Sequence, residues 1–283
     1  MQKGEASRTA LRVAARRAAH QVLDHPRVFE DPLAMAIAGL QNPGEFRAAS
    51  QVQSRVSRAL RAFIAVRSRY AEDQLATAFE RGVRQYVVLG AGLDTFAYRN
   101  TFGSAGLRVF EVDHPATQEW KRVRLREASI AVPKNMIFAA VDFERQSLED
   151  GLLQAGFQKQ EPAFFSWLGV TPYLSRAAFD ATIGFVATMP SASAIVFDFA
   201  VERSLLSPPQ QVALDALAER VARAGEPFQL FFNPAELGIS LGRLGFGRLE
   251  DLNCEDINAR YFAGRSDGLV VSGGGHLLSA PIL

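Results

Sequence analysis

Over roughly the first 80 residues apolar positions recur at helical spacing; beyond them they gather into short continuous runs. Leu11, Ala14, Ala18 and Val22 mark a helix from Ser7 to Leu23, with Ser7 or Thr9 as its cap. Asp31-Pro32 opens a short second helix, where proline is tolerated. Gly39 to Gly44 reads as a loop. A long helix then runs from Ser54 to Arg81 and ends at Gly82.

The apolar runs that follow are Gln85–Gly90, Leu107–Asp113, Met136–Asp142, Ala163–Val170 and Ala194–Phe199. Each has the length of a buried strand. Helical stretches at Pro115–Ser129, Leu148–Gly156 and Ser175–Met189 separate most of them. Strand and helix in alternation predict a mostly parallel sheet with helices on both faces and right-handed crossovers. After Phe199 the pattern loosens. Pro208–Ala224 and Ala235–Leu244 read as helices, with a loop at Gly225–Pro234 between them. Gly247–Leu252 and Gly268–Ser279 are the expected sixth and seventh strands. The expected organisation is one α/β domain over 1–283, with an N-terminal helical cap over 1–80 and an inserted lid segment over 200–245.

Composition narrows the class. The chain has 283 residues, 48% of them hydrophobic and 22% charged, with a net charge of +1, which fits a globular protein with a sizeable core. No run of about 18 apolar residues occurs, so no membrane helix is expected. A single cysteine, Cys254, excludes a disulfide framework and a Cys-rich zinc site, and the four histidines have no metal-binding spacing. With no apolar signal segment ahead of the first helix, a cytoplasmic protein is expected. Residues 1–70 hold 12 Lys and Arg against 5 Asp and Glu, leaving a net −6 in the remainder. That basic stretch is either a solvated helix face or a wall facing an anionic ligand. Near-neutral overall charge and the lack of a basic–aromatic stripe argue against nucleic acid.

The most informative stretch is Gly90-Ala91-Gly92-Leu93-Asp94-Thr95, directly after the first strand. Gly-x-Gly permits a tight turn and a close backbone approach, as at the first βα turn of a nucleotide-binding sheet. A dinucleotide fingerprint needs a third glycine, but Thr95 stands there, and the adjacent Asp94 opposes a pyrophosphate. A cationic ligand such as S-adenosylmethionine suits this turn better; a nicotinamide dinucleotide is the weaker alternative. Glu111 and Asp113 end the second strand, 19 and 21 residues beyond Gly92, where a carboxylate can hold ribose hydroxyls. Alternation puts both on one face, with Asp113 nearer the mouth. Asp142 and Phe143 end the third strand, where a polar edge and a ring suit adenine.

These segments resemble the leucine carboxyl methyltransferase family, class I S-adenosyl-L-methionine-dependent methyltransferases. The resemblance spans most of the chain. It rests on Thr9-Ala10-Leu11, Arg17-Ala18, Phe29–Ala34 (FEDPLA), Arg67–Tyr70 (RSRY), Leu89–Arg99 (LGAGLDTFAYR), Phe110–Pro115 (FEVDHP), Asp142-Phe143, Trp167–Leu174 (WLGVTPYL) and Gly225-Glu226-Pro227. It implies a Rossmann-like class I methyltransferase sheet of about seven strands. It also implies that Gly90, Ala91, Gly92 and Asp94 cradle the methionine part of the cofactor, that Asp113 holds the ribose, and that Asp142 and Phe143 hold the adenine. An arginine of the long helix would bind the cofactor carboxylate. Arg67 falls on the apolar stripe of that helix and Arg69 does not, so Arg67 is the candidate, with pairing to Asp94 or another carboxylate as the alternative. Many relatives carry glutamate where this chain has Leu168, which weakens transfer of the family's named substrate.

The expected chemistry is O-methylation, forming a methyl ester on a carboxylate of a small molecule or chain end. A carboxylate is already ionised at neutral pH and needs no base. A phenol or alcohol acceptor, or a non-catalytic cofactor-binding relative, is the alternative. His114 is a candidate base or a structural rim residue. Tyr173 is a candidate wall of the acceptor pocket or a packed aromatic. Phe228, Phe231 and Phe232 fit an apolar lid as well as they fit a core.

Overall fold

The computed structural model describes residues 8–40, 42, 44, 54–142, 146–223 and 225–283. The expected cap Ser7, parts of the 39–44 loop, Phe143 and Ala224 lie outside these residues. Among the described residues no helix is long and apolar enough to cross a membrane.

Seven strands form one sheet: β1 (Gln85–Leu89), β2 (Arg108–Asp113), β3 (Met136–Ala140), β4 (Ala163–Trp167), β5 (Ala194–Ala200), β6 (Glu250–Leu252) and β7 (Gly275–Pro281). Their order is β3-β2-β1-β4-β5-β7-β6, and only β7 runs against the others. This is the Rossmann-like arrangement of the class I methyltransferases. β1 and β4 are buried along their whole length because helices cover both faces, which is why they read as continuous apolar runs. Tyr86 and Val88 point to one face with Val109, Phe164, Val196 and Leu277. Val87 and Leu89 point to the other with Phe110, Val112, Phe165 and Phe197.

The helices are α1 (Arg8–Leu23), α2 (Ala34–Ala38), α3 (Arg55–Glu80), α4 (Phe96–Arg99), α5 (Pro115–Glu127), α6 (Leu148–Gln154), α7 (Arg176–Ala187), α8 (Pro208–Ala222), α9 (Pro234–Arg243) and α10 (Cys254–Tyr261). α3 lays Ala62, Val66, Tyr70, Ala71 and Leu75 on the first face of the sheet, following its apolar stripe. Its Ser54 cap accepts from the Ser57 amide. The Tyr70 hydroxyl donates to Glu250 at 2.7 Å, tying α3 to β6.

Beyond differences of one to three residues at the ends of elements, two expectations shift. The seventh strand begins at Gly275 rather than Gly268: Leu269 and Val271 pack into the core from a loop, and Val271 exchanges backbone bonds with the Asn258 side chain instead of a strand. α10 was not expected, since CEDINARY carries one fully buried side chain, Ile257, and so has little periodicity to read.

α1 and α2 pack on the loop after β1 through Ala14, Ala18, Ala34, Ile37 and Leu93. A polar rivet joins the same parts. Asp31, 1% exposed, pairs with Arg17 at 2.6 Å and accepts from the Thr95 hydroxyl at 2.7 Å. Arg17 also donates to the Leu93 carbonyl at 2.6 Å. Arg99 approaches Asp31 at 3.7 Å and pairs with Glu72 of α3. Removing one partner of a buried ion pair leaves a bare charge and costs about 3–5 kcal/mol. Asp31→Ala should lower unfolding free energy by about that amount in urea titration.

Candidate active site

β1 and β4 are neighbours from which the chain winds outward in opposite directions, so their carboxyl ends form the topological switch point where ligands bind such sheets. Gly90 and Gly92 sit there with φ of +66° and +46°, a region that L side chains rarely adopt. A Cβ on Gly90 would come within 2.4 Å of Val170 Cγ2, and one on Gly92 within 3.2 Å of Ala10 Cβ. The loop thus fits between α1 and the mouth of β4 because both positions lack side chains.

Its amides are already used. Gly90 and Ala91 both donate to the Val112 carbonyl, at 2.9 and 3.0 Å. Gly92 donates to Asp113 Oδ2 at 2.6 Å, Asp94 to the Ala91 carbonyl at 2.7 Å and Phe96 to Asp94 Oδ1 at 2.8 Å. A pyrophosphate needs free amides at a helix N-terminus. These five are closed, which disfavours a dinucleotide. The loop presents carboxylates instead, and these fit a ligand with cationic and hydroxyl groups.

Asp113 accepts from the Gly92 amide on one oxygen and from the His114 amide, at 2.7 Å, on the other. A carboxylate can take about four such bonds, so acceptor capacity remains for two hydroxyls. Burial pushes its pKa up, and the two amides oppose that shift. Glu111 lies two residues back, on the same side but sealed. It is 1% exposed, paired with Lys121 at 2.7 Å and bonded by the Tyr98 hydroxyl at 3.1 Å. Burial raises its carboxyl to about 7 despite Lys121. Glu111 is therefore built into the packing, and Asp113 is the strand-end carboxylate available at the mouth. Asp142 follows β3 half-buried, and the preceding amide of Val141 donates to the Asp113 carbonyl at 3.0 Å, which puts Asp142 beside Asp113.

Arg67 points inward, 9% exposed, whereas Arg69 lies outside and pairs with Asp73. The protein partner of Arg67 is Asp198 at 3.1 Å, not Asp94. Gly169, at φ +72°, leaves room for the guanidinium: a Cβ there would fall 2.5 Å from Nη2. The Gly169 amide also donates to Asp198. Asp198 is the residue that sequence reasoning missed, although a lone acid in the apolar run AIVFDF requires a buried partner. Leu168 packs with the α3 face of the core.

The remaining candidates divide. His114 caps α5, its Nδ1 accepting from the Ala116 amide at 3.2 Å, so its ring serves the helix end. Tyr173 stands half-buried at the β4 mouth, with Thr9 against its hydroxyl, Arg67 within electrostatic reach and the Phe228 ring at 5.2 Å. Burial pushes its phenol up to about 12. The 225–232 stretch is held to this mouth, its Gln229 amide donating to the Pro172 carbonyl at 2.7 Å. Phe232 belongs to the core, its ring tilted against Phe179 with centroids 4.7 Å apart. Phe228 is half-buried beside Tyr173, and Phe231 is half-buried with its ring 6.3 Å from Phe228. The fold thus gathers Gly90, Ala91, Gly92, Asp94, Asp113 and Asp142 along one edge and brings Arg67 and Tyr173 to the adjoining β4 mouth.

Sheet order and mouth together define a class I methyltransferase fold. The leucine carboxyl methyltransferase family profile matches residues 10–187. The Bacillus subtilis protein YktD, which carries the name of an S-adenosyl-L-methionine-dependent methyltransferase, is 33% identical over 95% of both chains. A similarly named Mycobacteroides abscessus protein is 36% identical over 61% of this chain and 57% of its own. Among solved structures, a protein from Thermobifida fusca carrying a methyltransferase name superposes with a TM-score of 0.55 at 17% identity, over 94% of each chain. A duf574 family protein from Streptomyces avermitilis gives 0.53 at 15% identity, over 95% of this chain and 97% of its own. The chain belongs to the leucine carboxyl methyltransferase family, and with it to the S-adenosyl-L-methionine-dependent methyltransferases.

Two substitutions separate packing from recognition. Lys121→Met should destabilise the fold by about 3–5 kcal/mol, because Glu111 is left buried without its cation, and adding Glu111→Gln should restore most of it. Thermal and urea unfolding of the single and double variants give the comparison. Asp113→Ala should instead weaken S-adenosyl-L-methionine by roughly ten- to a hundred-fold in calorimetry, as for one charged hydrogen-bond partner.

Proposed function

We propose that the protein methylates an oxygen of its acceptor, and that this oxygen belongs to a carboxylate of a small molecule or a chain end. The observation that carries this reading is that neither candidate base at the mouth, Tyr173 or His114, is poised to take a proton. Tyr173 is pushed up to about 12, so its phenol keeps its proton at neutral pH. His114 is engaged at Nδ1 by its own helix. A carboxylate acceptor is ionised already and needs neither, whereas a phenol or alcohol normally has to lose a proton to a positioned base.

S-adenosyl-L-methionine, when bound, supplies the electrophilic methyl group. The residues of the mouth divide the work of holding it. Asp113 receives the ribose hydroxyls, Asp142 with Phe143 the adenine end, and Gly90, Ala91, Gly92 and Asp94 the methionine part. Arg67, braced by Asp198, takes the cofactor carboxylate with the guanidinium edge that Asp198 leaves over. The protein's task at the reacting centre is then alignment and exclusion of water. Orientation alone is worth about 7–11 kcal/mol. α1 on one side and the 225–232 stretch on the other, with Tyr173 and Phe228 between them, form the walls that do this. In this reading residues 1–80 act as the cap and 200–245 as the lid.

Product chemistry tests the reading. With methyl-labelled cofactor and pooled small carboxylates and phenols, the labelled product should release methanol under mild alkali, as a methyl ester does. Label that survives alkali identifies an ether and overturns the carboxylate assignment; label on nitrogen overturns O-methylation.

A further inference from the structure

The walls of this mouth contain charge that neither the fold nor the proposed cofactor contacts use. Arg16 lies on the α1 stripe that also carries Thr9 and Arg12, three and seven residues from Thr9 in a helix whose neighbours on one face are three and four apart. Thr9 rests against the Tyr173 hydroxyl, and Arg16 itself is within electrostatic reach of Tyr173. Arg16 is half-buried, its Nε is sealed from solvent with no hydrogen-bond partner, and its bond to the Arg12 carbonyl is long at 3.5 Å. From the opposite wall Arg220 of α8 lies within electrostatic reach of Arg16: burial first, then Arg220 and Arg12, lower the pKa of Arg16. Among the described residues neither Arg16 nor Arg220 forms an ion pair, whereas Arg17, one residue on, has Asp31. The last turn of α8 favours a cation at position 220, but the helix dipole does not dictate that it face another arginine. Two guanidiniums within electrostatic reach of each other repel, and an anion between them relieves that repulsion.

We propose that Arg16 and Arg220 form the anion-recognition edge of the acceptor pocket, bridging the α1 and α8 walls through a carboxylate of the acceptor. The inference rests on the ester-forming reading and deepens it. Tyr173, protonated, donates to the same anion, and Phe228 offers its face to the apolar body next to it. Methylation removes the negative charge, so the pair holds the acid and lets go of the ester. This also gives a direction to the basic N-terminal stretch: its useful charge is on the inner face of α1.

The test uses the whole protein loaded with S-adenosylhomocysteine and benzoate as the probe, read by saturation-transfer NMR. Benzoate should bind with millimolar affinity and benzamide at least five-fold more weakly. Arg16→Gln and Arg220→Gln should each weaken benzoate at least three-fold and together abolish its signal, Arg16→Lys should keep most of it, and S-adenosylhomocysteine affinity should stay within two-fold in every variant, which also shows that each is folded. Equal binding of benzoate and benzamide, unchanged benzoate binding in the double variant, or no benzoate signal on the loaded native protein would overturn the proposal. The outcomes separate from those of the alkali test: arginine-dependent benzoate binding with an alkali-stable product removes the ester reading alone, and an ester formed at the same rate by the double variant removes this edge alone.

Discussion

One buried carboxylate holds the active side of this molecule together. Asp31 collects Arg17 from α1, Thr95 from the turn after β1 and Arg99 from the end of α4, and Arg99 continues the chain of charge to Glu72 on α3. The chain around residues 17, 31, 72 and 95–99 is thereby fixed in one arrangement. A carboxylate with almost no exposure is tolerated only when its charge is met on every side. Each cation and hydroxyl around Asp31 therefore has little freedom to move without leaving another group unpaired. The position of α1 over the glycine loop follows, and with it the positions of Ala10 against Gly92 and of Thr9 against Tyr173.

Asp198 plays a parallel part on the other side of the mouth. It holds Arg67 from α3 and the Gly169 amide from the turn after β4. The two turns that meet at the switch point are thus each locked by an acid from elsewhere in the chain. The first acid comes from outside the sheet and the second from β5 within it. The strands supply direction and spacing, and the acids convert that frame into a mouth of fixed shape.

The first five strands were legible because burial, complete along β1 and β4 and partial on the edge strand β3, writes largely apolar runs. The same logic misleads at Gly268–Val271, where Leu269 and Val271 are apolar because they plug a core from a loop, while β7 lies just beyond. α10 was illegible because only Ile257 is fully buried. At the mouth, the glycine loop and the strand-end carboxylates could be found from spacing. The distinction between Glu111 and Asp113 could be drawn only as far as one lying nearer the mouth; that Glu111 is sealed depends on Lys121 arriving from α5, which no local pattern reveals. The inward turn of Arg67 was legible from its helix face, and its partner was not, since Asp198 lies 131 residues away. Phe143 belongs to the sequence reading alone.

The closed amides of the glycine loop also bear on what the protein can ignore. A cell holds many adenosine compounds that share the adenine and ribose ends of the proposed cofactor but carry phosphates where it carries a sulfonium and an amino acid. A loop with free amides would greet those phosphates. Here the amides of Gly90, Ala91 and Gly92 face inward to Val112 and Asp113, and Asp94 and Asp113 add repulsion. Such phosphates meet no free amide at these positions, and the turn needs no bulky side chain to disfavour them.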